Sequence, residues 1–209
     1  MRLKTTSLIA GLAACAFLTI LLFSGCASGP DMPPEVPSGS GALTITFEFN
    51  KQSGHASNQF AVWVEDAEGC LVKTLYATRF TANGGYRNRP DSIPEWVGKS
   101  GLSELGNIDA ITGSTPKPGA LSYVWDLTDA AGTAAPEGTY RFCVEGSLRW
   151  RNRVLYSGEF EVGGGAASIA AEAQFFYEAS EGQPALDGES PENGMITAVS
   201  AEYAPPGKP

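Results

Sequence analysis

The sequence has little of the chemistry on which most hydrolases and metal sites depend. It contains one histidine, His55, in the polar stretch 51–58, and its four cysteines form no C-x-x-C pair. A Ser/His/Asp or Cys/His site would need that single loop histidine, and a structural zinc site needs clustered Cys and His ligands. We therefore expect no catalytic residue and no metal site.

Positive charge is also scarce. The chain has 14 Lys and Arg residues against 23 Asp and Glu, a net charge of −9. Loss of residues 1–25 as an export signal would remove Arg2 and Lys4 and no acid, leaving 12 basic residues against 23 acidic ones, or −11. Because nucleic acid is bound through its phosphates by basic surfaces, it is not expected as a partner.

A convincing amphipathic helix is missing as well, and period-two patterns take its place. Alternating or continuous apolar segments occupy 43–49, 60–64, 71–76, 121–125, 140–144, 155–162, 169–177 and 195–203. Short strands of this kind, separated by turn residues, are typical of sandwiches. We predict an all-β, Ig-like antiparallel β-sandwich over 42–204, followed by a disordered tail over 205–209.

The first residues predict export and lipid attachment. Arg2 and Lys4 precede an uncharged, largely apolar run, 7–23, which ends in Ser24-Gly25-Cys26. This pattern resembles a lipobox, and it predicts a signal peptide over 1–25, an acylated Cys26 and a flexible Gly/Pro/Ser-rich tether over 26–41. The alternative is a retained membrane anchor. Either places the domain outside the cytoplasm, in the periplasm or at the cell surface, and tied to the membrane.

Two cysteines then remain for the folded domain, Cys70 and Cys143. An oxidising compartment allows one disulfide between them. The alternation of Tyr140, Phe142 and Val144 turns Cys143 away from the expected core face, which favours a bridge over a packed thiol. A Cys70–Cys143 disulfide and two free thiols both stay open.

The segment 125–140 carries a turn-rich pattern, Trp-Asp-x-x-Asp-x-x-Gly followed by Pro-x-Gly-x-Tyr. It resembles the Ig-like domain of flagellar hook-capping proteins. Asp129 to Gly132 predicts one tight turn and Pro136 to Gly138 another, and the hydroxyl of Tyr140 can close a corner onto the backbone. The segment from Trp63 to Gly69 repeats part of this pattern and predicts a similar hairpin. We interpret the pattern as fold and not as a site.

The segment 109–115 reads Asp-Ala-Ile-Thr-Gly-Ser-Thr. It resembles the acceptor site of extracytoplasmic FAD:protein FMN transferases, which join FMN through a phosphodiester bond to the last hydroxyl residue, here Thr115. Within the motif, Thr112 and Gly113 precede Ser114; the glycine gives backbone freedom, and Asp109 would orient the loop or assist the transferase. Ser114 is a competing acceptor, and an ordinary polar turn is the alternative for the whole segment.

About thirty residues before the motif lack strand patterning, and loops of that length are functional or disordered. They contain Tyr86 and Trp96. Trp96 either plugs the end of the sandwich core or gives a flat flavin ring a surface to lie on.

Nine of the twelve mature basic residues lie within 79–117 and 141–153. Lys117 and one or more of four arginines would neutralise a cofactor phosphate; the four are Arg87, Arg89, Arg149 and Arg151. Solvated surface charge is the alternative for each.

The order of these motifs over 42–203 resembles the periplasmic family called domain of unknown function 2271. The resemblance rests on Val62 to Asp66, Val72 to Leu75, Pro94 to Trp96, Asp109 to Gly119, Trp125-Asp126 and Gly138 to Tyr140. It departs at Ser114 and at 147–153, where the family has an acidic-His-Gly segment.

That family occurs with flavin transferases and membrane electron-transfer proteins, so the resemblance implies an FMN-carrying electron-transfer lipoprotein. It would be an electron carrier more than an enzyme with its own substrate. The alternative is a non-redox Ig-like cell-envelope module that binds protein or glycan.

Overall fold

The computed structural model describes residues 41–53, 57–102, 112–149, 152–177 and 194–207, which all belong to the unit Pro33–Pro209. The predicted signal peptide, Cys26, the tether up to residue 40, His55 and Asp109 lie outside the described residues. So do Arg151 and the side chain of Arg149.

The alternating segments of the sequence form the strands. Their bounds are β1 Ala42–Phe49, β2 Gln59–Asp66, β3 Leu71–Thr78, β4 Thr112–Gly113, β5 Gly119–Trp125, β6 Gly138–Arg149, β7 Asn152–Val162, β8 Ala167–Ala170, β9 Glu172–Tyr177 and β10 Ile196–Ala204. Between β3 and β4 lie α1 Arg79–Ala82, a 3-10 turn Gly85–Arg87 and α2 Pro94–Ser100.

The strands make two facing sheets, with the orders β5-β1-β10-β8 and β4-β3-β2-β6-β7-β9. Pairing is antiparallel except between β3 and β4, which run parallel. The predicted all-β sandwich is confirmed. One predicted strand, 169–177, is in fact two, because the chain changes sheets at Ala171: β8 pairs with β10 and β9 pairs with β7.

Alternation along the strands builds the core between the sheets. On β1, Leu43, Ile45, Phe47 and Phe49 are all buried while the residues between them are not. Side chains of successive strand residues point to opposite faces of a sheet. One apolar face from each of the two sheets is therefore enough to form the core between them.

The outer face of the six-stranded sheet is also covered, by the segment 79–102. Along β2 every residue from Gln59 to Glu65 is buried. Trp63 on this face packs in a second cluster with Ile93, Trp96 and Cys143. The region expected to be a loop is therefore a cover of short helices, too short to show an amphipathic period in the sequence.

The predicted turns are confirmed. The Asp129 carboxylate accepts backbone N–H groups of Ala131 and Thr133, at 2.9 and 2.8 Å. The Tyr140 hydroxyl donates to the carbonyl of Pro136 at 2.9 Å, which closes the corner. The hairpin of β2 and β3 turns at Asp66, whose carboxylate accepts the N–H of Cys70 at 2.8 Å.

The Cys70–Cys143 disulfide is not formed, and both thiols are free. Cys70 precedes β3, Cys143 lies in β6, and β2 runs between those strands. Two strand spacings come to roughly 9–10 Å, beyond the Cα separation that a bridge spans. Cys143 does face away from the inner core, but the second cluster buries it, so it is a packed thiol.

Candidate functional site

The described part of the acceptor-like motif lies at an edge of the six-stranded sheet. Thr112 and Gly113 form β4, which pairs in parallel with the end of β3 through Ala77 and Thr78. Residues 114–118 then carry the chain from this sheet to β5 in the other one. The described end of the motif therefore leads along the side of the sandwich from one sheet to the other.

A close approach to Tyr76 explains why the motif needs glycine. A Cβ atom added at Gly113 would lie 2.8 Å from Cε2 of Tyr76. The Tyr76 hydroxyl donates to the carbonyl of Ser114 at 2.8 Å. Burial raises the pKa of Tyr76 to about 12, with nearby Arg79 acting in the opposite direction, so the phenol stays protonated and remains a donor.

Tyr76 is itself held by aromatic neighbours. Its ring centroid lies 4.9 Å from that of Phe60 and 5.1 Å from that of Tyr123. Phe60 belongs to the core between the sheets, and Tyr123 is half-buried at the edge on β5. The segment that follows Gly113 thus rests on a packed aromatic cluster that continues into the core.

The hydroxyls of the motif differ in exposure. Ser114 is exposed and Thr115 is half-buried. The Oγ1 atom of Thr112 is buried and has no hydrogen-bond partner among the described residues. Neither Ser114 nor Thr115 is buried, so the competition between the two acceptors remains.

The predicted basic cluster is only partly assembled in space. Lys117 is exposed beside the motif, and Arg79 lies near the Tyr76 hydroxyl. The guanidinium of Arg87 lies 5.7 Å from the ring centre of its neighbour Tyr86. Arg89 is half-buried, and this burial lowers its pKa, with Asp91 opposing the shift.

Other basic residues of the two segments form ion pairs away from the motif. Lys99 binds Glu65 at 2.9 Å, Arg141 binds Glu159 at 2.6 Å, and Arg153 lies 3.3 Å from Glu145. The basic residues that are close in sequence therefore do not form a single phosphate-binding patch in space.

Trp96 does not offer a surface to a cofactor ring. It is fully buried, and its indole N–H donates to the hydroxyl of Thr74 at 3.0 Å. It does plug the fold, but on the outer face of the six-stranded sheet and not at the end of the core between the sheets. Flavin stacking on Trp96 is thus contradicted by its burial.

Two aromatic residues beside the motif were not singled out from the sequence, Tyr76 and Phe80. Tyr76 is one apolar residue of an alternating strand, and its contact with Gly113 joins positions far apart in the chain. Phe80 stands in a short polar stretch with no period. Neither carries a local signal.

The comparisons with known proteins identify a family. The family described as "Predicted periplasmic protein (DUF2271)" matches residues 42–179. The chain belongs to this DUF2271 family. Its description places the domain outside the cytoplasm, in agreement with the predicted export signal.

No curated protein and no solved structure matches the chain. The family match ends before β10, yet β10 pairs with both β1 and β8 inside the four-stranded sheet. The folded DUF2271 domain therefore extends to Ala204.

Within the parts of the chain that the structure describes, no helix is long and apolar enough to cross a membrane. The same residues contain no group of three or more His, Cys, Asp or Glu side chains placed to hold a metal ion.

One buried carboxylate fixes the cover over the sheet. Glu145 is fully buried, and it accepts the backbone N–H groups of Glu95 and Trp96 at 3.3 and 3.0 Å. Burial raises the pKa of Glu145 to about 7, although these two N–H groups and Arg153 act to lower it. Glu145 thereby ties the first turn of α2 to β6.

Proposed function

We propose that this DUF2271 protein is an extracytoplasmic lipoprotein that carries FMN in phosphodiester linkage to Thr115 and acts in electron transfer. The observation that carries the proposal is the geometry of the described part of the motif: Gly113 packs on Tyr76, while Ser114 is exposed and Thr115 is half-buried. A transferase needs its target hydroxyl presented on a defined segment, and the bond from Tyr76 to Ser114 supplies that definition.

The linkage forms from FAD and needs no other co-reactant. The Thr115 oxygen attacks the phosphorus on the FMN side of the pyrophosphate, the bond to the AMP oxygen breaks, and AMP leaves. The hydroxyl proton passes to a base of the transferase. Lys117, which is exposed two residues after Thr115, and Arg79, which lies near Tyr76, would supply counter-charge to the remaining phosphate.

The protein's own part in electron transfer is to hold and orient, since a bound flavin supplies the redox chemistry. Acylation of Cys26 and the tether that follows it keep the domain within reach of a membrane electron donor. Cys26→Ser should yield an uncleaved or mislocalised precursor in cell fractionation. A correctly sized mature band that still needs detergent for extraction would contradict lipid attachment at Cys26.

The proposal is tested by co-expression with a flavin transferase in an exporting host. The purified protein should be yellow, its flavin should stay with the protein through acid precipitation, and its absorbance should bleach with dithionite and return in air. A colourless protein from cells in which a known acceptor is yellow would contradict the proposal.

A second candidate, a non-redox binding module, is favoured by one observation. A cleft of about 680 Å³ lies between the β2–β3 turn and the segment 129–140. It is lined by apolar side chains such as Leu71 and Val72 and rimmed by the carboxylates of Glu68 and Glu137. It lies at the opposite end of β3 from the motif, roughly 23 Å away, so binding there and flavin at Thr115 are separable.

A further inference from the structure

We infer that Phe80 is the surface on which the flavin ring lies once FMN is joined to Thr115. The inference rests on the proposed function and adds to it the residue that fixes the ring. Trp96, for which ring stacking was one of the two expected roles, is excluded by its burial.

Phe80 is held in place although it is exposed. Its side chain is 49% exposed, and among the described residues only Phe175 is a comparably exposed large apolar side chain. Gly85 is buried beneath the ring, where an added Cβ would lie 2.6 Å from Cε1 of Phe80. The backbone of Gly85 thus packs close to Cδ1 and Cε1 of the ring, and about half of the Phe80 side chain is open to solvent.

The strand register brings Phe80 and Thr115 to the same end of the β3–β4 pair. Thr78 pairs with Gly113, and the two strands run in the same direction. Phe80 follows Thr78 by two residues and Thr115 follows Gly113 by two, so both chains leave the paired segment toward the same end of the sheet. Helix α1, which carries Phe80, packs against both β3 and β4.

The chemistry of FMN fits this arrangement. Its phosphate and its tricyclic ring are separated by a flexible five-carbon ribityl chain, so a ring tethered at Thr115 can reach a neighbouring element. A flat, partly apolar ring gains most by covering an aromatic face that would otherwise meet water. Arg79 precedes Phe80, is exposed, and offers its charge to the phosphate.

Phe175 provides a matched control. It is 41% exposed and lies on β9, at the far edge of the same sheet. Five strand spacings separate β9 from β4, roughly 24 Å, which is beyond the reach of a ring tethered at Thr115.

The test compares flavin fluorescence in wild type, Phe80→Trp and Phe175→Trp, each first shown by mass to carry the FMN adduct. Tryptophan in contact with flavin quenches its fluorescence by donating an electron to the excited ring. Phe80→Trp should therefore lower the fluorescence severalfold relative to the other two. Equal fluorescence in the two Trp variants would overturn the inference and leave flavinylation intact.

A second variant controls for the possibility that Trp at position 80 disturbs helix α1. Phe80→Leu keeps an apolar side chain and removes the aromatic face, so iodide should quench its flavin more efficiently than that of wild type, while Phe175→Leu should leave iodide access unchanged. Unchanged iodide access in Phe80→Leu would count against the inference. Absence of any adduct in wild type would instead remove the proposed function, and the inference with it.

Discussion

Gly113 shows how a glycine in a recognition motif can be required by packing. The nearest obstacle to a side chain there is the ring of Tyr76, which is confined between Phe60 and Tyr123 and cannot easily move aside. Backbone freedom, the reason the sequence suggests, is not the main one. The motif is tied to the fold at this residue.

Gly113→Ala should therefore displace Tyr76 or β4 and break the hydrogen bond from Tyr76 to Ser114. We expect a loss of about 1–3 kcal/mol in the free energy of unfolding, as for other overpacked sites, and slower flavin transfer to Thr115. Chemical denaturation and a timed transferase assay measure the two effects.

Gly98→Ala is the matched control, because nothing lies within 4 Å of a Cβ added there on α2. It should leave flavin transfer unchanged and stabilise the helix by about 0.5–1 kcal/mol. Equal transfer rates in the two variants would show that the Gly113 contact does not matter for presentation.

Glu145 makes the stability of the domain depend on pH. Its pKa is about 7 in the fold against an ordinary 4.5. Below pH 4.5 the carboxyl of Glu145 is protonated in both the folded and the unfolded protein, and its contribution to the free energy of unfolding is fully present. As pH rises from 4.5 to 7 the unfolded chain releases the proton first, so this contribution is lost.

Glu145→Gln removes the titration, so stability relative to wild type should shift in favour of the variant as pH rises. A difference in pKa of this size corresponds to a shift on the order of 3 kcal/mol between pH 4.5 and 8. Denaturant unfolding of both proteins across this range measures it. A stability difference that stays constant with pH would mean that Glu145 has an ordinary pKa.

At the scale of elements, the strands were predictable and the cover over the sheet was not. Strands such as β1 bury one face, and a period of two in the sequence reports that directly. Helix α2 has seven residues and is positioned by Glu145 from β6, fifty positions later, a contact no local pattern encodes. The expectation that Trp96 either plugs the end of the core or stacks on flavin, and the argument against a packed thiol at Cys143, both missed this layer.

The candidate site divides in the same way. That Ser114 and Thr115 lie on a connecting segment and are not buried could be predicted from the motif alone. Tyr76 and Phe80 could not, because their relation to the motif depends on the parallel pairing of β3 with β4. Parallel pairing joins segments distant in the chain, and two residues of strand leave no pattern to read.

The cover predicts different reactivity for the two thiols. In the domain expressed from residue 27, Cys70 is exposed while Cys143 is buried, and burial raises the pKa of the Cys143 thiol far above its usual range. Because the thiolate is the reactive form, a thiol reagent should label only Cys70 in the native protein and both residues after denaturation without reductant. Absence of labelling in the denatured protein would mean that Cys70 and Cys143 are joined in a disulfide.

At the scale of the whole molecule, the two ends of β3 are unlike. One end carries the motif with Lys117, Arg79 and the exposed Phe80, and the other opens into the cleft rimmed by Glu68 and Glu137. The net charge of the chain is −9, so under the proposed function we expect an electron-transfer partner to meet the acidic part of the surface with basic groups, and their association to weaken as salt is raised.

The central claim is the covalent attachment of FMN to Thr115. The most direct measurement incubates the folded domain with a purified flavin transferase and FAD and then maps the product by peptide mass spectrometry. The wild-type peptide containing Thr115 should gain the mass of one FMN less water. Thr115→Ala should stay unmodified, and Ser114→Ala should still be modified. The account is contradicted if wild type stays unmodified while a known acceptor is fully flavinylated, or if the adduct persists in Thr115→Ala and disappears in Ser114→Ala.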